Sequence, residues 1–184
     1  MKLLVAEDDP ITLKRLTRFL EDWGHQVVTA PNGAEALELS GSHEVDIVLT
    51  DWMMPELDGL ELTRHLRKRG KGSPFIYIIL LTTRGEKSDV IEALDTGVDD
   101  YMVKPFDPGE LRARINVGER TVRLERTLRD YSQGLERIVR RQTSLIRRTQ
   151  EETIIRMLSA LESRDEETGG HVFRIGLFLS LIHI

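Results

Sequence analysis

The stretch that decides the fold reads Val45-Asp46-Ile47-Val48-Leu49-Thr50-Asp51, and Trp52-Met53-Met54-Pro55 follows it directly. A short, largely apolar run of this kind predicts a buried strand. Asp51 therefore lies at the carboxyl end of that strand, where an ionised carboxylate is costly unless another group neutralises it. The partners of Asp51 must come from elsewhere in the chain.

Other polar residues follow apolar runs of their own. They are two acids, a hydroxyl and a lysine: Glu7, Asp8, Thr82 and Lys104. Five strand-like runs, at 3–6, 25–30, 45–50, 75–81 and 101–103, alternate with five helix-like segments. This alternation predicts an α/β fold, a doubly wound parallel sheet covered by helices on both faces. Because ligands gather at the carboxyl ends of such strands, we expect these residues to meet at one site.

The acids of this set fit a magnesium site. Mg²⁺ prefers oxygen ligands in octahedral geometry and uses one or two carboxylates together with water. Glu7, Asp8 and Asp51 could supply the carboxylates, and the backbone carbonyl of Met53 could complete the set.

The remaining groups fit phosphoryl transfer onto Asp51. Lys104 offers a point charge for a phosphoryl oxygen and Thr82 a hydroxyl hydrogen bond, so Asp51 could act as the nucleophile and form an acyl phosphate. A phosphatase of the haloacid dehalogenase type needs a second aspartate two residues after its nucleophile as general acid. That position is Met53 here, which argues against this alternative.

Residues 1–116 resemble the receiver domain of bacterial two-component response regulators. The resemblance is carried by Glu7-Asp8, by Asp51-Trp52-Met53-Met54-Pro55-Glu56-Leu57-Asp58-Gly59, by Leu80-Leu81-Thr82-Thr83 and by Gly97-Val98-Asp99-Asp100-Tyr101-Met102-Val103-Lys104-Pro105-Phe106. It implies a flavodoxin-like sheet with strand order 2-1-3-4-5.

The same resemblance implies roles for individual residues. Asp51 would accept phosphate from a sensor histidine kinase, with Asp8 and Asp51 binding Mg²⁺ directly and Glu7 binding it through water. Thr82 and Tyr101 would change rotamers together as a switch.

Composition restricts the remaining classes of function. The 184 residues contain no cysteine, which excludes a disulfide framework and a thiolate nucleophile. The amino terminus reaches acids too soon for a signal peptide, and no apolar run approaches the roughly 18 residues of a membrane span, so we expect a cytoplasmic protein without membrane contact. Residues 1–116 hold 14 Lys and Arg against 21 Asp and Glu, which argues against direct DNA binding there.

Residues 117–158 predict a helical linker. Apolar residues recur every seven positions at Val117, Leu124, Tyr131, Ile138 and Leu145. Leu128 and Leu135 occupy the companion position, which favours a dimeric coiled coil. The alternative is one amphipathic helix packed on its own domain.

Residues 159–184 predict the start of an output domain. Glu167 and His171 are four residues apart, a spacing that can place two metal ligands on one helix face. The run 160–175 resembles the opening of HD-GYP domains, metal-dependent phosphodiesterases that degrade cyclic di-GMP. A two- or three-metal site of the iron or manganese type would need further His and Asp ligands. We therefore expect a truncated piece without phosphodiesterase activity.

Two other outputs remain open for the receiver. A transcription regulator is disfavoured because no helix-turn-helix pattern follows the receiver. A protein-interaction switch without an enzymatic output is the other possibility.

Overall fold

A computed structural model gives the architecture, and it describes residues 1–70, 72–83 and 87–162. Five strands alternate with five helices along the chain, as the pattern predicts. Their bounds are β1 Lys2–Ala6, α1 Pro10–Asp22, β2 Gln26–Ala30, α2 Gly33–Ser42, β3 Ile47–Asp51, α3 Gly59–Arg67, β4 Tyr77–Thr82, α4 Lys87–Thr96, β5 Asp100–Val103 and α5 Pro108–Glu162.

The strands form one parallel sheet in the order β2-β1-β3-β4-β5, which confirms the predicted fold class and strand order. The register pairs Ala6 of β1 with Thr50 of β3, and Asp51 with Leu81 of β4. All five strands therefore end at the same edge of the sheet, which is the edge where functional side chains are expected.

The sheet is covered on both faces because successive strand residues alternate between two cores. One core joins Leu3, Val5 and their neighbours to α1 and α5, through residues that include Leu16 and Ile115. The second joins Leu4, Ala6, Val48 and Ile78 to α2 and α3, through residues that include Ala36 and Leu62. Burial on both faces explains why the strands lack a polar and apolar alternation.

The described chain divides into two compact units, one ending at Leu128 and the other beginning at Arg129. In the second unit α5 is helical as far as Glu162, and its apolar side chains from Tyr131 to Met157 are exposed. Glu167 and His171 lie outside the described residues. In the part of the chain that is described, no helix is both long and apolar enough to cross a membrane.

Candidate functional site

The acidic side chains predicted from the sequence lie together at the carboxyl edge of the sheet. Glu7 and Asp8 follow β1, and Asp51 is the last residue of β3. Each of the three offers a carboxylate oxygen, and these oxygens all lie within 4.8 Å of one another. Only oxygen donors are present in this group, which matches the ligand preference of Mg²⁺.

Lys104 joins two of these acids. Its Nζ lies 2.7 Å from Oε2 of Glu7 and 3.0 Å from Oδ2 of Asp51. The backbone N–H of Lys104 donates to the Thr82 carbonyl at 2.7 Å, which fixes the residue at the end of the adjacent strand. One ammonium group is therefore shared between two carboxylates.

The surroundings of Glu7 and Lys104 shift the pKa values of both groups. Glu7 is 1% exposed, and burial raises the pKa of its carboxyl group, with Asp51 adding to the rise and the Lys104 hydrogen bond opposing it. Burial acts to lower the pKa of Lys104, but hydrogen bonds and attraction from Glu7 and Asp51 outweigh it, so its pKa is raised. Lys104 therefore stays charged at neutral pH. Burial disfavours the ionised form of Glu7, so a further cation at the site would favour it.

The backbone around Asp51 fixes its orientation. The N–H of Trp52 donates to Oδ1 of Asp51 at 2.8 Å, which leaves Oδ2 facing Lys104. The N–H of Gly59 donates to the Trp52 carbonyl at 2.9 Å, so the loop folds back against the end of β3. A Cβ atom on Gly59 would lie 2.2 Å from the Asp51 carbonyl oxygen. Only glycine permits this close approach.

The other predicted residues have different places. Thr82 is 2% exposed at the end of β4 and pairs in register with Val103, directly before Lys104. Tyr101 lies outside the acidic group and is half-buried against a small core that includes Trp52. Met53 has an exposed side chain two residues after Asp51, and the role of its carbonyl as a metal ligand stays a prediction.

Two residues of the loop after Asp51 have structural features that the sequence pattern does not predict. Trp52 combines a backbone contact to Asp51 with a buried ring, and a large aromatic directly after the acid was the available signal. Glu56 adopts a left-handed φ of 67° and accepts a hydrogen bond from Nδ2 of Asn32 at 3.2 Å. A glutamate in a loop carries no sequence signal for that conformation, which non-glycine residues rarely adopt.

Comparison with known proteins agrees with this geometry. The model of the response regulator receiver domain matches residues 3–116. The chain is 42% identical over 116 residues to the two-component response regulator PhoP of Pseudomonas aeruginosa, covering 63% of this chain and 50% of that protein. It is 42% identical over 125 residues to the response regulator MprA of Mycobacterium ulcerans, covering 68% of this chain and 53% of that protein. The chain spans about half the length of the curated relatives it matches.

Solved structures give the same result. The receiver domain of the Francisella response regulator 1452 aligns with a TM-score of 0.60 at 38% identity, covering 65% of this chain and 98% of that one. The chemotaxis protein CheY4 of Vibrio cholerae aligns with a TM-score of 0.59 at 29% identity, covering 62% of this chain and 95% of that one.

Proposed function

The chain belongs to the response regulator receiver family, and from this premise we propose that Asp51 accepts a phosphoryl group from a sensor histidine kinase. The observation that carries the proposal is the carboxylate of Asp51 at a strand end, bound to Lys104 and within 4.8 Å of two further acids. Such a group of acids is expected where a cation is needed to bring a phosphoryl group to a carboxylate.

The residues of the site divide the chemistry between them. An oxygen of Asp51 forms the new bond to phosphorus as the bond from phosphorus to the donor nitrogen breaks, which gives an acyl phosphate. Lys104, which pairs with two carboxylates before transfer, balances the charge of the phosphoryl group afterwards. Thr82 donates a hydrogen bond from its hydroxyl to a phosphoryl oxygen. Mg²⁺ held by Glu7, Asp8, Asp51 and the Met53 carbonyl would neutralise charge on the transferred group.

Phosphorylation by a small donor tests the assignment. The protein is incubated with acetyl phosphate and Mg²⁺, and its intact mass is measured. We expect the added mass of one phosphoryl group, no addition in Asp51→Asn, and normal addition in Asp58→Asn. Asp58 is a suitable control because it caps α3 by accepting from the Glu61 N–H at 2.7 Å, and asparagine caps helices equally well. An adduct that survives Asp51→Asn would disprove the role of Asp51.

We propose that phosphorylation of Asp51 is transmitted to the rest of the protein by a conformational switch of Thr82 and Tyr101. Thr82 moves toward the phosphoryl group and Tyr101 turns inward, which changes the face formed by α4, β5 and α5. A local charge change that biases a two-state element is the general form of such a switch. The Tyr101 ring is only partly buried against the small core that includes Trp52, so an inward rotamer would increase its burial, which supports this route.

The linker is proposed to form a homodimer through its heptad stripe. Leu135, Ile138 and Leu145 are each about half exposed or more, on a helix that reaches Glu162. An apolar stripe of this length needs a partner, and a second copy supplies a matching one. Sedimentation of the full chain should show a dimer that Ile138→Glu weakens, while Gln133→Glu on the opposite side leaves it intact. Equal sedimentation of the two variants would reject the stripe as the interface.

We infer an HD-GYP phosphodiesterase as the output, supported by the resemblance of residues 160–175. A transcription regulator is the second candidate, because one relative is the alkaline phosphatase synthesis transcriptional regulatory protein PhoP of Bacillus subtilis, 39% identical over 114 residues, covering 62% of this chain and 46% of that protein. The net negative charge of residues 1–116 disfavours DNA contact by the receiver itself. The genomic sequence after residue 184 tests the two. His-Asp and Gly-Tyr-Pro motifs would support the first candidate, and a helix-turn-helix segment the second.

A further inference from the structure

Residues at the start of α5 present two different faces. One face carries Leu111, Ile115 and Val122, all 0% exposed and part of the core shared with α1. The other carries Val117 and Leu124, which are 41% and 59% exposed and begin the heptad stripe. The helix therefore remains packed on the sheet after residue 116, where the family match ends.

An ion pair holds this helix at the amino edge of the sheet. Asp46 lies directly before β3, and its carboxylate accepts from Nη2 of Arg126 and from the Lys2 N–H, the latter at 2.8 Å. The Asp46 side chain is only 7% exposed. A charge-assisted bond to a buried carboxylate is among the stronger polar contacts a protein makes.

Two further contacts hold α5 against the sheet, at Gly118 and Glu119. A Cβ atom on Gly118 would lie 2.7 Å from Cδ1 of Tyr77, so the helix backbone rests directly on that buried ring. At the next residue of the helix, Oε1 of Glu119 lies 3.5 Å from Nδ1 of His25, and both side chains are largely buried. His25 and Tyr77 precede or begin strands, so these contacts share the amino edge with Asp46.

We propose that His25, Asp46 and Tyr77 form a latch that holds residues 117–126 of α5 on the receiver body. The receiver then ends functionally at Arg126, and the first members of the heptad stripe, Val117 and Leu124, are displayed from that rigid body. The latch lies at the opposite edge of the sheet from Asp51, so it restrains the helix without taking part in phosphoryl transfer. A signal that reaches α5 must move these turns as one piece with the receiver or open the latch.

Two helix glycines provide a matched test in the full chain. Alanine ordinarily favours a helix over glycine at an open position, and Gly134 has nothing within 4 Å of the Cβ it would carry. Gly118→Ala instead pushes against Tyr77, and overpacking of this kind forces the helix outward. Amide hydrogen exchange read by mass spectrometry should show about tenfold lower protection in residues 117–126 of Gly118→Ala, with the strands unchanged. Gly134→Ala should lose no protection there.

A second pair keeps the test decisive if Gly118→Ala fails to fold. Arg126→Gln should lower protection of the same residues several-fold, and Arg140→Gln, an exposed change further along the helix, should not. Protection in 117–126 that matches the control in each pair would overturn the latch. Phosphorylation by acetyl phosphate should remain normal in Arg126→Gln, so failure of the latch and failure of the Asp51 assignment are distinguishable.

Discussion

Neutralising Asp8 should stabilise the metal-free protein while removing most of its stabilisation by Mg²⁺. The oxygens of Glu7, Asp8 and Asp51 lie within 4.8 Å of one another, and Lys104 pairs with only two of these acids. At 4.8 Å, two like charges repel by about 0.9 kcal/mol at the dielectric of water, the appropriate choice for the exposed Asp8. Two such repulsions, partly offset by Lys104, give Asp8→Asn an expected gain of about 1 kcal/mol.

Mg²⁺ should reverse this order of stability. A ligand that binds only the folded state stabilises it by about 1.4 kcal/mol at ten times its dissociation constant. The wild-type protein gains this amount and Asp8→Asn loses most of it, because a carboxylate ligand is missing. Wild type should therefore be the less stable protein in a chelator and the more stable one in Mg²⁺.

Urea unfolding with a chelator and at several Mg²⁺ concentrations measures both effects. Asp58→Asn removes one charge from the neighbouring loop, keeps the helix cap and lies outside the acidic group, so it should respond to Mg²⁺ like wild type. If Asp8→Asn were less stable than wild type in the chelator, the repulsion argument would be wrong. An undiminished Mg²⁺ response in Asp8→Asn would remove Asp8 from the ligand set.

Three further outcomes follow from single buried groups. Burial raises the pKa of Tyr77 to about 12, so the folded state favours the neutral phenol. The free energy of unfolding should therefore be highest below about pH 10 and fall by about 2 kcal/mol as the pH rises to 12. Tyr77→Phe should lack that fall in urea unfolding at high pH. Burial lowers the pKa of His25, with Glu119 opposing the effect, so the unfolded state binds more protons and stability should drop as pH falls below about 6.5. His25→Asn should flatten this slope, and an unchanged slope would locate its origin elsewhere. Gly59→Ala should destabilise by about 3 kcal/mol or more because its Cβ meets the Asp51 carbonyl, whereas Gly41→Ala, with nothing within 4 Å, should not, as thermal unfolding can show.

The position of the site was predictable because it depends on where apolar runs end. Asp51 closes β3 and Lys104 follows β5, so each was located by its own strand. A parallel sheet then brings all carboxyl ends to one edge, whatever the loops do. The acids and the lysine met as expected for that reason, although no single one of them was informative alone.

Two details that depend on packing could not be predicted from the sequence pattern. Phe75 and Ile76 are as apolar as the strand that follows, but β4 begins at Tyr77, where the backbone N–H donates to the Asp46 carbonyl at 3.0 Å. Apolar character alone cannot tell a strand from the buried approach to it. The sharing of Lys104 between two acids also depends on side-chain geometry that no spacing encodes.

The composition changes at residue 117 because most of the side chains after it are exposed, but the backbone stays helical. The helix continues to Glu162 because residues that favour helix, such as Arg, Glu, Gln and Leu, predominate in it. Its contacts with the core are made by one face of the turns up to Val122. Composition therefore registers the loss of buried positions, and the contacts of Val122 and Arg126 lie beyond that point. The packed turns of α5 therefore extend past the change of composition, and the domain boundary at residue 116 stays a prediction.

The contacts of β5 provide a physical link between the proposed switch and this helix. Asp100, the neighbour of Tyr101, is paired with Arg114 of α5, and its Oδ1 also accepts from the Tyr101 N–H at 2.9 Å. The hydrogen bond to Asp100 raises the pKa of the Arg114 guanidinium, and a second bond to Glu110 adds to the rise. A shift of the Tyr101 backbone must therefore stretch a paired carboxylate or carry α5 with it. Because α5 is also held at Arg126 by its ion pair with Asp46, we expect the segment from Arg114 to Arg126 to shift as one piece.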